Sequence, residues 1–209
     1  MKKTTLVLLI VALAVLLGLA VYMTVAIFWG PGGGLFCPFC PAGQQRFQDS
    51  IGGRMGPGMM GRHRGVIVNS EYEFLVHMIP HHEEAVYTAG ILMENTEREE
   101  MKNFADEIIR TQNEEIELMI SWLEAWYPEK DHDIDYRPMM RNLENLEGEE
   151  LDRIFLEDMI FHHMEAVMMS QQLLSRGLAE HEEVYALARN IRNTQREEII
   201  MMRSWLARW

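Results

Sequence analysis

The chain has 209 residues, a mass of 24.4 kDa and a formal charge of −13. Hydrophobic residues make up 48% of it, enough for a core, while a mean hydropathy of −0.14 excludes a polytopic membrane protein. The charge is unevenly spread: residues 1–64 carry six basic and one acidic side chain, whereas residues 65–209 carry 13 basic and 31 acidic ones, and a body that acidic repels phosphate backbones, so nucleic acid is excluded as a partner.

Met1-Lys2-Lys3 opens the chain, and no charge follows between Thr4 and Gly43. The apolar run from Thr4 to Trp29 is long enough to span a bilayer as one helix. Lys2 and Lys3 hold the N-terminus in the cytoplasm, which places everything after Trp29 outside, in the periplasm or beyond. The rival reading is a cleaved signal peptide cut near Gly18-Leu19-Ala20. The apolar run continues ten residues past that cut, longer than a signal h-region, which favours a membrane anchor over residues 1–29. Residues 30–66 read as a flexible Gly/Pro-rich linker. It contains the two cysteines of the chain, in Cys37-Pro38-Phe39-Cys40, and the stretch Met55, Met59, Met60, His63. With one CxxC only, a disulfide-built scaffold is excluded. The pair itself reads as a local disulfide, a Cu(I) chelate or half of a zinc knuckle. A thioredoxin-type dithiol is disfavoured, because no βαβ pattern surrounds it. The linker methionines have no core to fill, and weak metal capture is one reading of them.

The rest is an internal repeat. Phe74 to Val86 matches Phe155 to Val167 at an offset of 81, and Thr111 to Trp126 matches Thr194 to Trp209 at an offset of 83, with ten of those last sixteen pairs identical. Each half carries two amphipathic segments, which predicts helices over 70–94, 97–127, 148–176 and 180–208. Repeat 1 therefore covers 67–128, a polar crossover 129–147, and repeat 2 148–209. Asn95-Thr96 and Gly177 mark the hairpin turns. Pro80 falls inside the first helix, and Phe161 replaces it in the second half. The expected fold is all-α: a four-helix bundle of the ferritin-like kind, built from two tandem helical hairpins.

The heptad seams locate the unusual residues. In the first helix the seam is Leu75, Met78, His82, Ala85, Ala89, Leu92; in the third it is Leu156, Met159, His163, Ala166, Ser170, Leu173. The second and fourth helices carry Gln112, Ile116, Met119, Leu123, Trp126 and Gln195, Ile199, Met202, Leu206, Trp209. Such stripes face a bundle interior. A buried unpaired imidazole is costly, and here one recurs in both halves with a methionine one turn away. For a hairpin turning near residue 95, Met78 faces Gln112, and Met119 lies toward the bundle end. His77 and His81 sit four residues apart on a flanking face, where the second half has Asp158 and His162. Glu115 and Glu198 flank the seams. The tryptophans read as core or bundle-end plugs.

Imidazole with thioether favours copper, Cu(I) above Cu(II). Iron is less suited: a di-iron centre uses interior carboxylates with Glu-x-x-His, and no such motif lies on the first or third seam. Zinc would leave the methionines unexplained. The string His77-Met78-Ile79-Pro80-His81-His82, with Gln112-x-x-Glu115-Ile116-x-x-Met119-x-x-Trp122-Leu123, resembles domain-of-unknown-function family 305 over roughly residues 68–209. The resemblance implies a ferritin-like helical domain and the class of secreted or periplasmic copper-binding proteins linked to copper tolerance. The second half departs from the motif at Asp158 and Phe161, which implies unequal half-sites.

The resulting expectation is a membrane-anchored extracytoplasmic copper-binding protein serving sequestration or trafficking, exchanging metal with a donor or acceptor protein. The candidate metal ligands are His77, Met78, His81, His82, Glu115 and Met119 in the first half and Met159, His162, His163 and Met202 in the second. No residue reads as catalytic. Two alternatives remain: a metal-dependent oxidoreductase on the same scaffold, and a metal-free helical module that binds a partner helix.

Overall fold

The computed structural model describes residues 65–209; the expected membrane segment, the CxxC and the Met/His stretch lie outside the described residues. Four helices are present and, among the described residues, no strand: α1 (Glu71–Asn95), α2 (Glu99–Trp126), α3 (Gly148–Ser175) and α4 (Glu182–Leu206). Their ends lie within two residues of the predicted ones. Ser70 caps α1 by accepting from the Glu73 N–H at 3.1 Å, while the Glu73 carboxylate accepts from the Asn69 N–H at 2.8 Å, a close variant of the capping box. Pro80 lies inside α1 without ending it. Gly177, at φ +63°, reverses the chain after α3, and the Leu178 N–H donates to the Leu173 carbonyl at 3.0 Å, as a helix stop with a left-handed glycine does. Among the described residues no helix is long and apolar enough to cross a membrane.

Two buried acids reveal the topology. Glu71, at the start of α1, accepts from the backbone N–H groups of Glu180 (2.6 Å) and His181 (2.9 Å), where α4 begins. Asp152, near the start of α3, accepts from the Thr96 hydroxyl (2.6 Å) and pairs with Arg98 (3.1 Å), where α2 begins. The start of each odd helix therefore adjoins the turn of the other hairpin. This makes α1 and α3 antiparallel, and α3 runs in the same direction as α2. The 127–147 crossover must then travel the length of the bundle. It does so beside α1: Tyr72 donates to the Asp131 carbonyl, Tyr136 and the N–H groups of Met139 and Met140 donate to Glu84, and Tyr87 donates to Glu144.

The ends are closed by aromatic stacks at related positions. Trp126 lies flat on the His181 ring (3.6 Å, 3°), and Arg98 covers Trp209 at 4.3 Å. Arg98 and His181 each stand one residue before an even helix, and each also binds the buried acid of its end. The apolar core divides into two clusters. One gathers Phe74, Leu75, Met78, Met119, Ala166 and Leu173; the other gathers Ala85, Leu92, Phe104, Phe155, Met159 and Met202. Between them lies the polar layer described below.

Glu71 is fully buried and takes four hydrogen bonds, the remaining two from Tyr127 O–H (3.0 Å) and the His181 ring (2.6 Å). Removing a buried acceptor orphans all its donors, so Glu71→Ala should lower stability by about 3 kcal/mol. Denaturant unfolding of the soluble fragment measures the loss.

Candidate metal centre

His81-His82 on α1 and His162-His163 on α3 meet at mid-bundle, and all four rings are buried. Because α1 and α3 are antiparallel, the inner rings face each other. His81 and His162 lie 3.7 Å apart, centroid to centroid, at 31°. His82 and His163 flank them, each about one ring-width outward, at 6.1 Å from His81 and 6.2 Å from His162 respectively. The helix period puts consecutive residues about 100° apart, so each odd helix aims one imidazole at its odd partner and the next at its own hairpin mate.

Every outward hydrogen bond falls on the same ring atom. His82 Nε2–H donates to Glu115 Oε2 on α2 at 2.9 Å, and His163 Nε2–H donates to Glu198 Oε2 on α4 at 2.7 Å. His81 Nε2–H donates to the His162 carbonyl at 3.1 Å. A carbonyl can only accept, as does an ionised carboxylate, so the proton of each neutral ring sits on Nε2 and Nδ1 keeps a free lone pair. The Nδ1 atoms of His81, His82, His162 and His163 are all buried without a hydrogen-bond partner. His162 Nε2 is also unpartnered, standing 3.5 Å from Glu84 Oε2.

Carboxylates also enter this interior, without the Glu-x-x-His motif of a di-iron centre on the first or third seam. Glu84, Glu115 and Glu165 are buried, Glu84 beside His162 and Glu115 beside His82. The seam pattern missed Glu84 and Glu165 because they lie two residues past each seam histidine. Each is already engaged: Glu84 accepts from the crossover, Glu115 from His82, and Glu165 from the Val66 N–H at 3.0 Å. Val66 is thus bound to the bundle, although residue 66 reads from the sequence as linker. Burial pushes the Glu84 carboxyl up, but His162, Tyr136 and the Met140 amide together outweigh it and hold it below the usual value. Tyr136 is driven well above the ordinary phenol value by burial and by Glu84. Among the described residues no three His, Cys, Asp or Glu side chains converge as a metal-binding group.

Residues 71–206 match the family described as "Domain of unknown function (DUF305)". The chain belongs to this family. Among solved structures it is similar to CopM, seen in Cu(I)-, Cu(II)- and silver-bound forms; the Cu(I) form is 30% identical, with a TM-score of 0.62, covering 68% of this chain and 99% of that one. A DUF305 fragment from Deinococcus radiodurans is 30% identical, with a TM-score of 0.59, covering 68% and 98%. A Streptomyces coelicolor DUF305 protein described as secreted is 26% identical, with a TM-score of 0.59, covering 66% and 93%. Comparison with curated proteins finds no match.

In this DUF305 chain the candidate ligands fall into three places. His81, His82, His162, His163 and Glu115 form the central layer. Met78 and Met119 lie in one flanking core cluster, and Met159 and Met202 in the other. His77 is half-buried on the α1 flank, where desolvation lowers its imidazole despite Glu73 and Glu165 nearby. The expected hairpin register needs correction. His82 meets Glu115, one turn beyond Gln112, and Met119 shares a core cluster with Met78 and does not lie toward the bundle end. The cause is that α1 runs through Asn95 and the turn occupies residues 96–98, which slides α2 along α1. Gln112 and Gln195 are buried with unpartnered carbonyl oxygens.

Burial, followed by the neighbouring imidazoles, drives His81 well below 6.5, and burial likewise lowers His163. Folded, these rings stay neutral at a pH where the unfolded chain is already protonated. The metal-free protein should therefore keep its full stability above about pH 7 and lose it as pH falls below 6.5, toward the lower folded-state values. Urea midpoints at pH 7.5 and pH 5.5 give the comparison; equal midpoints would contradict it.

Proposed function

We propose that the chain is a membrane-anchored, extracytoplasmic protein that binds copper at the imidazole layer, with thioethers beside it. One observation carries this: three of the four rings spend Nε2–H on a fixed acceptor, leaving Nδ1 bare in a buried site. A metal-ligating histidine characteristically donates its other ring N–H to a carboxylate or carbonyl, which sets tautomer and orientation. Glu115 and Glu198 supply that support for His82 and His163, and the His162 carbonyl supplies it for His81. An unpartnered buried nitrogen costs about 1–3 kcal/mol, a cost that coordination relieves. Four such nitrogens in one layer favour a ligand there over a purely structural role.

The similarity to CopM in its copper- and silver-bound forms supports the soft-metal reading. Cu(I) is favoured over Cu(II) because Met78, Met119, Met159 and Met202 adjoin the layer in dry clusters, and thioethers prefer the reduced ion. The acidic surface concentrates cations without selecting among them, and the layer selects. The two halves differ: Asp158, which stands where His77 stands in the first half, is held by Arg141 at 2.8 Å. The role that follows is sequestration or relay of copper outside the cytoplasm, in exchange with a donor or acceptor protein.

The purified soluble fragment should compete with a chromophoric chelator for Cu(I). His82→Gln/His163→Gln leaves a donor for each glutamate but removes both flanking Nδ1 atoms. It should weaken copper retention by about a hundredfold with helical circular dichroism unchanged. Competition equal to that of the unmodified protein would end the proposal.

A further inference from the structure

Gln112 on α2 and Gln195 on α4 hold matching places in the repeat. Each is only 4% exposed, and each keeps a buried carbonyl oxygen without a hydrogen-bond partner. An orphaned acceptor in a dry interior destabilises the fold, and here it occurs once in each half.

The contacts of the imidazole layer fix what surrounds these two oxygens. His82 meets Glu115, and α1 and α2 run antiparallel, so Gln112, three residues before Glu115, stands level with Ala85, three residues after His82. The His163–Glu198 contact likewise brings Met159 level with Met202 and Ala166 level with Gln195. The antiparallel His81–His162 contact then sets Ala85 beside the level of Met159, and Met78 beside that of Ala166, within one residue's rise. Met159, Met202 and Ala85 accordingly share one core cluster, and Met78, Met119 and Ala166 share the other.

Two tiers result, one on each side of the imidazoles. In one, Met159 and Met202 of the second hairpin stand with Ala85 and Gln112 of the first. In the other, Met78 and Met119 of the first hairpin stand with Ala166 and Gln195 of the second. An alanine takes up little of the space at either level. One helical turn from Gln112 lies His82 with its bare Nδ1, and one turn from Gln195 lies His163 with its own.

We propose that the Gln112 and Gln195 carbonyl oxygens are metal donors that let the bundle hold copper as Cu(II) as well as Cu(I). The proposal rests on the copper reading and gives the bound ion two donors that the imidazole layer lacks. Thioethers favour the reduced ion, whereas Cu(II) prefers nitrogen and oxygen. The carboxylates of the layer are already engaged: Glu84 with the crossover, Glu115 with His82 and Glu198 with His163. The amide oxygens carry no such duty. Each donor set takes an imidazole nitrogen and an oxygen from one hairpin and two thioethers from the other, so neither hairpin carries a full set alone. The tiers differ in one respect. Ser170, one turn beyond Ala166, is buried with an unpartnered hydroxyl, where the first half has Ala89. A hydroxyl near Gln195 competes for its oxygen, which makes Gln112 the stronger donor.

The test uses the full chain in detergent, carrying Cys37→Ser/Cys40→Ser so that no thiol reduces Cu(II). Competition with chelators measures the tightest-bound Cu(II) and, separately, the tightest-bound Ag(I). Gln112→Met/Gln195→Met keeps side-chain length and exchanges each oxygen for a thioether. Cu(II) retention should fall by about tenfold or more, with a changed Cu(II) electron paramagnetic resonance spectrum, while Ag(I) retention holds or rises. Gln112→Met alone should account for the larger part of the fall. Three results would each overturn the assignment: no Cu(II) retained by the parent chain, Cu(II) retention unchanged by the substitutions, or a parallel loss of Ag(I), which would mark the glutamines as packing residues. The copper reading is judged apart from these, by whether His82→Gln/His163→Gln weakens Ag(I) retention.

Discussion

The architecture depends on bringing four imidazoles into the contact between α1 and α3. A neutral imidazole has one donor and one acceptor, and a dry interior charges heavily for each left alone. The antiparallel crossing solves half of that problem. It stacks His81 on His162, lets one ring donate to the backbone beneath the other, and turns His82 and His163 outward to glutamates on their own hairpin mates. The other half, the Nδ1 lone pairs, is left unsolved by the protein alone. The fold is thus organised around a polar layer that it does not complete, and that incompleteness is the chemical argument for a ligand.

The rest of the bundle follows from the same crossing. Once α1 and α3 are antiparallel, the start of each odd helix must meet the turn of the opposite hairpin. Glu71 and Asp152 occupy those meeting points and bind the first residues of α4 and α2. Trp126 and Trp209 close the ends by stacking on His181 and Arg98. The long crossover is a geometric consequence as well, since the chain has to return to the far end before α3 can begin. With His162, the crossover's Tyr136 and Met140 amide hold the Glu84 carboxyl below its usual value against its burial.

The departures from equivalence between the halves are as informative as the likeness. Asp158, in the place of His77, is tied to Arg141 of the crossover. Glu83 gives way to Met164, and Tyr87 to Met168, on a face that the crossover does not cover. The crossover covers α1 through hydrogen bonds, while α3 leaves Phe161, Met164 and Met168 exposed. The two hairpins differ in surface chemistry while both contribute to the buried layer.

The periodicity of apolar residues was sufficient to define four helices, their ends and the inward direction of His82 and His163, because burial on one face is a local property of a helix. The choice of Met78, Met119, Met159 and Met202 as interior residues rests on the same logic. Register and partnership lay beyond it. Which residue of α2 meets His82 depends on where the turn stops, and a turn of three residues shifted the expected partner from the region of Gln112 to Glu115. The burial of Glu84 and Glu165 was illegible for a related reason: a carboxylate off the seam is ordinarily solvated, and only the crossover and the entering segment, both remote in sequence, cover these two. Local pattern decides what a helix hides; the contacts between distant segments decide what the hidden groups bond to.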